Sequence, residues 1–125
     1  MRNIKIGIIG LGYVGLPVSV SFAKEYNVIG YDINSKRVNE LNDFNDKTLE
    51  VTPKRLKQSL TKNLILTNNI HELKSCNVYI ITVPTPINLD KSPDLSPLLS
   101  ATKAIGKLLS IGDIVIYEST VYPGC

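Results

Sequence analysis

The stretch IKIGIIGLGYVG, residues 4–15, constrains this chain more than any other. An apolar run, Ile4–Ile9, leads into Gly10-Leu11-Gly12-Tyr13-Val14-Gly15, a G-x-G-x-x-G, and a helix-like segment follows. A second apolar run closes at Asp32, which stands 17 residues past Gly15 and 22 past Gly10. That is the spacing of a βαβ unit that binds a dinucleotide, in which an acid follows the glycines by about 20 positions. A lone G-x-G-x-x-G also arises in ordinary tight turns. Here strand, helix, strand and terminal acid all stand where the motif needs them.

Each part has a physical task. Gly10 lets the chain turn sharply out of the strand. Gly12, lacking a Cβ, lets the backbone approach a pyrophosphate, and Gly15 lets the helix pack close to the strand. The free N–H groups at the helix start and the positive end of its dipole suit phosphates. Asp32 suits the hydroxyls of an adenosine ribose and repels a 2′-phosphate, so the pattern predicts NAD rather than NADP. Arg37, five residues on, is the counter-argument, because an arginine near this point can hold a 2′-phosphate. It can otherwise lie against the adenine, reach the ribose, or simply be solvated on a short helix.

With 125 residues, 43% of them hydrophobic, the chain has enough apolar material for one domain with a real core. The net charge of +3 comes from scattered basic residues, which argues against a nucleic-acid partner. No apolar run approaches the ~20 residues that span a bilayer, and the N-terminus runs straight into the first strand. The cytoplasm is the expected location. Cys76 and Cys125 are too few for a disulfide framework or a metal site, so no metal is expected.

Along the chain, periodicity predicts strands at Ile4–Ile9, Val28–Tyr31, Leu64–Leu66, Val78–Val83 and Ile114–Tyr117. Between the first two lies a helix with Val14, Val18 and Phe22 as its buried stripe. Short helices follow at Asn34 or Ser35, burying Val38 and Leu41, and after the Thr52-Pro53 cap, burying Leu56 and Leu60. Asn69 and Glu72, three apart, resemble a capping box for a short helix holding Ile70 and Leu73. Ser96-Pro97 starts the longest helix, with Leu98, Thr102, Ile105 and Leu109 on one face and Gly112 as its stop. Asp43–Glu50 reads as a solvated loop.

Strands alternating with helices predict a Rossmann-type parallel α/β sheet of order 3-2-1-4-5 with helices on both faces. A sixth strand would complete the usual sheet, so the chain reads as a domain, residues 1–125, truncated before that strand. Ligands in such a sheet bind beyond the carboxyl ends of the strands. The glycine motif, Asp32, the Thr82–Pro86 loop and Ser119-Thr120 all fall at that end. Val83 and Thr85 would flank a cofactor there, on a loop stiffened by Pro84 and Pro86. His71 and Cys76 sit away from it and read as structural or surface residues.

Four segments in this order, IGLGYVGLP, YDINSKRV, YIITVPTPI and YESTVYPGC, resemble the N-terminal domain of the UDP-glucose/GDP-mannose dehydrogenase family. PDLSPLL and DKTLEV are similar to its branch that oxidises UDP-N-acetylhexosamines for capsule, Vi-type or O-antigen polysaccharides. The resemblance implies an NAD-dependent oxidation of a sugar C6 alcohol to an aldehyde and then a carboxylate, consuming two NAD. It implies a cysteine that captures the aldehyde, a thioester that water hydrolyses, and a lysine and an asparagine that stabilise the oxyanion. Matched by motif, Gly12 and Val14 meet the pyrophosphate, Asp32 and Arg37 the adenosine side, and Val83, Thr85 and Thr120 the nicotinamide half. Gly10, Tyr13 and Gly15 complete the cofactor set, and Thr120 also helps position water. The cysteine, lysine and asparagine, the dimerising region and the UDP-binding domain are expected beyond residue 125, so this chain alone is expected to be inactive. Cys125 matches a motif cysteine that is not the nucleophile. The implied partners are a UDP-sugar, bound through those further domains, and a second copy in a homodimer. The alternatives are a UDP-glucose or GDP-mannose 6-dehydrogenase, or a nucleotide-binding domain without activity.

Overall fold

Apolar residues on both faces of a strand bury it centrally, and that is where the first strand lies. The computed structural model describes residues 3–118; Ser119, Thr120 and Cys125 lie outside the described residues. Strands β1 (Lys5–Ile9), β2 (Asn27–Tyr31), β3 (Leu64–Thr67), β4 (Val78–Ile81) and β5 (Ile114–Tyr117) form one sheet of order β3-β2-β1-β4-β5. All four pairings are parallel, with Ile9 beside Tyr31 on one side and Ile81 on the other. The expected order and direction are therefore those observed. The sheet reverses its winding between β1 and β4, so a crevice opens beyond the carboxyl ends of these strands.

Alternation along the strands divides the core in two. Ile6, Ile8, Val28, Leu64, Leu66 and Ile80 point to the face covered by α1 (Gly15–Phe22), α2 (Ser35–Asn42) and α3 (Pro53–Leu60). Ile9, Ile29, Tyr79 and Ile81 point to the other, covered by α4 (Ser96–Gly106) and a 3-10 helix, Ile70–Ser75. Asn34 caps α2 by accepting from the Lys36 and Arg37 amides, and Thr52 caps α3 by accepting from Arg55. Asn69 accepts from the His71 amide at the start of the 3-10 helix. His71 is exposed and Cys76 is buried, as expected of residues outside the site. Burial is the main reason the Cys76 thiol is pushed up to about 11, which leaves it protonated and inert.

Two helices depart in part from the stripes that periodicity suggested: Val18 on α1 and Leu98 and Ile105 on α4 pack as expected, while other members of the stripes do not. On α1, Val14 and Phe22 are 49% and 37% exposed, and the buried residues are Gly15, Leu16, Ser19, Val20 and Ala23. The contact at Gly15 sets the rotation, because the helix must bring that residue, not Val14, against the loop. On α4 the expected Leu98 and Ile105 do pack against the sheet, joined by Ala101, and Thr102 is half-buried; past the end of the helix Leu108 is buried and Leu109 is exposed. This helix ends at Gly106, and Gly112, with φ +92°, instead makes the turn into β5. Among the described residues, β5 is an outer strand whose Ile114, Ile116 and Tyr117 are exposed. No helix among them is long and apolar enough to cross a membrane.

Candidate cofactor site

The glycine loop is held from four sides. The Gly10 amide donates to the Tyr31 carbonyl at 2.8 Å, and Gly10 itself has φ +102°, a conformation that glycine adopts without strain. The Thr82 hydroxyl, at the end of β4, donates to the Gly10 carbonyl at 2.7 Å. The Leu11 side chain is fully buried, and Gly30 of β2 makes room for it: a Cβ there would come within 2.8 Å of Leu11 Cδ2. Finally, the Leu11 amide donates to Asp32 Oδ2 at 2.9 Å.

Gly12 and Gly15 differ in kind. A Cβ on Gly15 would lie 1.6 Å from the Gly10 carbonyl oxygen and 2.5 Å from Thr82 Oγ1, so the loop and α1 touch there. A Cβ on Gly12 would meet nothing within 4 Å. Packing gives no reason for glycine at position 12, but an approaching ligand does. The first helical bond of α1 runs from the Leu16 amide to the Gly12 carbonyl at 3.2 Å. The amides just ahead of it are those that a helix start leaves without an intrahelical acceptor.

Asp32, at the end of β2, uses one lone pair on each oxygen: Oδ2 for Leu11 and Oδ1 for the Asn34 amide at 2.9 Å. A carboxylate has about four such sites, so both oxygens keep capacity toward the crevice. The crevice has a volume of about 510 Å³, and Gly10, Gly12, Asp32, Arg37 and Val83 are among the residues that line it. Tyr13 and Val14 are exposed at the start of α1 and are not part of its wall, nor is Thr85, which is half-buried on the loop after β4. Tyr31 also lines it; burial, and then the Asp32 charge, push its hydroxyl pKa up. A second hollow, of about 430 Å³, lies around the C-terminal ends of α1 and α3 and includes no motif residue. Lys24 and Lys62 in it sit where helix C-termini favour positive charge.

Arg37 is neither solvated nor free. Its Nε donates to the Leu11 carbonyl at 2.8 Å and its Nη1 to Asp46 Oδ1 at 2.9 Å, and its side chain is 12% exposed. Its Nη2 is enclosed without a hydrogen-bond partner among the described residues. The partner is the exception in Asp43–Glu50: Asp43, Asn45, Lys47, Leu49 and Glu50 are exposed, as a solvated loop requires, but the Asp46 side chain is 0% exposed. It accepts from the Thr48 amide and hydroxyl at 2.9 and 2.6 Å, from Glu50 at 2.9 Å and from Val51 at 3.0 Å. Composition could not single out one acid in DFNDKTLE. The available signal was Asp46-x-Thr48, the spacing at which an aspartate folds back on an amide two residues later.

Burial pushes the Asp46 carboxyl up, but the bonds from Thr48, Val51 and Arg37 outweigh it and hold the group at about 2. The folded value lies below the ordinary 3.8, so the contribution is present above pH 3.8 and lost as pH falls through 2. The shift corresponds to about 2 kcal/mol. Acid unfolding of Asp46→Asn, followed by circular dichroism, is expected to show a flatter stability profile across that window than the unaltered protein. Parallel profiles would mean that Asp46 is ionised just as easily in the unfolded chain.

Residues 4–125 match the sequence profile described as "UDP-glucose/GDP-mannose dehydrogenase family, NAD binding domain". The chain belongs to this family. It is 54% identical to UDP-N-acetyl-D-glucosamine 6-dehydrogenase of Salmonella typhi, over 98% of this chain and 28% of that protein. It is 53% identical to the Pseudomonas aeruginosa enzyme of the same name, over 99% of this chain and 29% of that one. The solved structure of the UDP-D-ManNAc dehydrogenase from Pyrococcus horikoshii superposes with a TM-score of 0.91 at 40% identity, over 97% of this chain and 29% of that chain. This chain thus spans under a third of the length of these relatives.

As in the rest of the UDP-glucose/GDP-mannose dehydrogenase family, this domain takes NAD as its cofactor. Its own geometry fits one: an unfilled edge at Gly12 beside a helix start, and a carboxylate with spare acceptor capacity across the crevice.

Proposed function

We propose that the whole protein is a UDP-N-acetylhexosamine 6-dehydrogenase acting in polysaccharide biosynthesis, and that this chain holds its NAD. The observation that carries the cofactor assignment is the open space at Gly12, where backbone is left bare next to helix α1. On this reading the pyrophosphate lies over Gly12 and the amides that start α1, including those of Tyr13 and Val14. The adenosine ribose lies against Asp32, with Arg37 behind it. Val83, Thr85 and Thr120 border the nicotinamide half, and Gly10 and Gly15 shape the loop. Bound NAD supplies the hydride acceptor; the residues here bind and orient it. The sugar substrate follows from the identity to enzymes named for UDP-N-acetyl-D-glucosamine. The reading includes a homodimer and a cytoplasmic setting.

Asp32→Ala is expected to weaken NAD binding by about 1–3 kcal/mol, the usual loss for hydrogen bonds to a charged group. Calorimetric titration checks it, and an unchanged affinity would mean that the ribose is held elsewhere. For the reaction, the whole protein should reduce two NAD per UDP-N-acetylhexosamine. A folded protein that reduced none with any UDP-sugar or GDP-mannose would sink the assignment.

A further inference from the structure

The arginine beside the ribose position poses a problem for selectivity. A free guanidinium next to Asp32 would attract the 2′-phosphate of NADP, which is the ligand Asp32 itself disfavours. In this structure two of the three guanidinium nitrogens are bonded, Nε to the Leu11 carbonyl and Nη1 to Asp46, and the third, Nη2, unpartnered among the described residues, is shut off from solvent. The charge it carries is matched by a carboxylate that is itself out of solvent. That carboxylate is in turn fixed by backbone and hydroxyl donors from Thr48, Glu50 and Val51, so it has no freedom to follow a moving arginine. A buried pair anchored on one side by rigid backbone holds its other member in a single place.

We propose that Asp46 is a positioning residue for cofactor choice: it pins Arg37 to the glycine loop and neutralises it, which leaves Asp32 to reject NADP. This rests on the cofactor site proposed above, with the ribose at Asp32. Asp46 does not touch the cofactor. It acts through Arg37, and it is the one buried residue of the otherwise mostly exposed Asp43–Glu50 loop.

The test compares dissociation constants for NAD and NADP, by calorimetry, in the whole protein, with thermal melts alongside. Asp46→Asn is expected to narrow the NADP-to-NAD ratio of dissociation constants by about tenfold or more, because Arg37 becomes free to meet the 2′-phosphate. Adding Arg37→Gln to that variant is expected to restore the original ratio. A merely structural role would weaken both cofactors together and leave the ratio where it was, and that result overturns the proposal. Where Asp46→Asn fails to fold, Arg37→Gln alone decides. An arginine already sequestered predicts a ratio unchanged within about threefold, whereas a selective loss of NADP by about tenfold shows that Arg37 was available all along and overturns it. Failure of the underlying site reads differently: NAD affinity would then be insensitive to Asp32→Ala, whatever the ratio does.

Discussion

Gly15→Ala is expected to cost the protein most of its stability. The added methyl would be placed 1.6 Å from the Gly10 carbonyl oxygen, 2.8 Å from the Gly10 carbonyl carbon and 2.5 Å from Thr82 Oγ1. None of these atoms is the far end of a flexible side chain. Gly10 is held by its bond to Tyr31, and Thr82 by bonds to Gly10 and Ile9. To make room, α1 must lift from the loop, and Leu16, Val20 and Ala23 leave the core with it. Ordinary overpacking costs about 1–3 kcal/mol, and displacing a helix adds the lost burial of three side chains, so a total above ~4 kcal/mol is expected. That is a large part of the 5–15 kcal/mol that typically holds a domain together. A fall in Tm of about 15 °C or more follows, or no folded protein at all. A melt within a few degrees of the unaltered protein would show that helix and loop separate easily.

Gly12→Val is expected to do the reverse, sparing the fold and removing the cofactor. A Cβ at Gly12 points into open space, and the residue is not in the left-handed region, so the folded chain accepts a side chain there. Restricting the unfolded chain even adds slightly to stability. The branched side chain would, however, stand where the pyrophosphate needs bare backbone. Keeping it from two amide donors loses charge-assisted bonds worth about 1.5–3 kcal/mol each, so affinity for NAD should fall by more than about 3 kcal/mol, over 100-fold. Equilibrium titration with NAD, together with a thermal melt, reads both halves. Retained affinity would place the pyrophosphate away from the motif. Taken together, the two glycines separate what the loop needs to exist from what it needs to bind.

The framework of the site was legible in the residues. Strand β1 is apolar throughout apart from Lys5 at its start, and such a strand has to be central. The motif fixed its neighbour as the next strand, and right-handed crossovers fixed the rest of the order. Gly10, Gly12, Asp32 and Val83 were all placed at the crevice on that basis, and all four line it. Periodicity failed where two stripes of one helix were both apolar. Val14, Val18 and Phe22 make as good a pattern as Leu16, Val20 and Ala23; Val18 packs against the core beside the second set, and the contact at Gly15 leaves Val14 and Phe22 outside. Gly112 failed for a related reason: a glycine suits a helix end and a turn before a strand equally well, and the length of α4 is set by its packing, not by the nearest glycine.

Arg37 and Asp46 mark the limit most clearly. The sequence by itself determined the sheet, its order, and the glycines and acid at its carboxyl end, because strand burial and backbone conformation depend on residue type and short-range spacing. What Arg37 does was decided only by the tertiary structure. Its charge is taken up by a carboxylate nine residues away and its Nε by a loop carbonyl 26 residues away. Hydrogen bonds between groups brought together only by folding leave no period in the chain, so nothing in the order of residues could announce them.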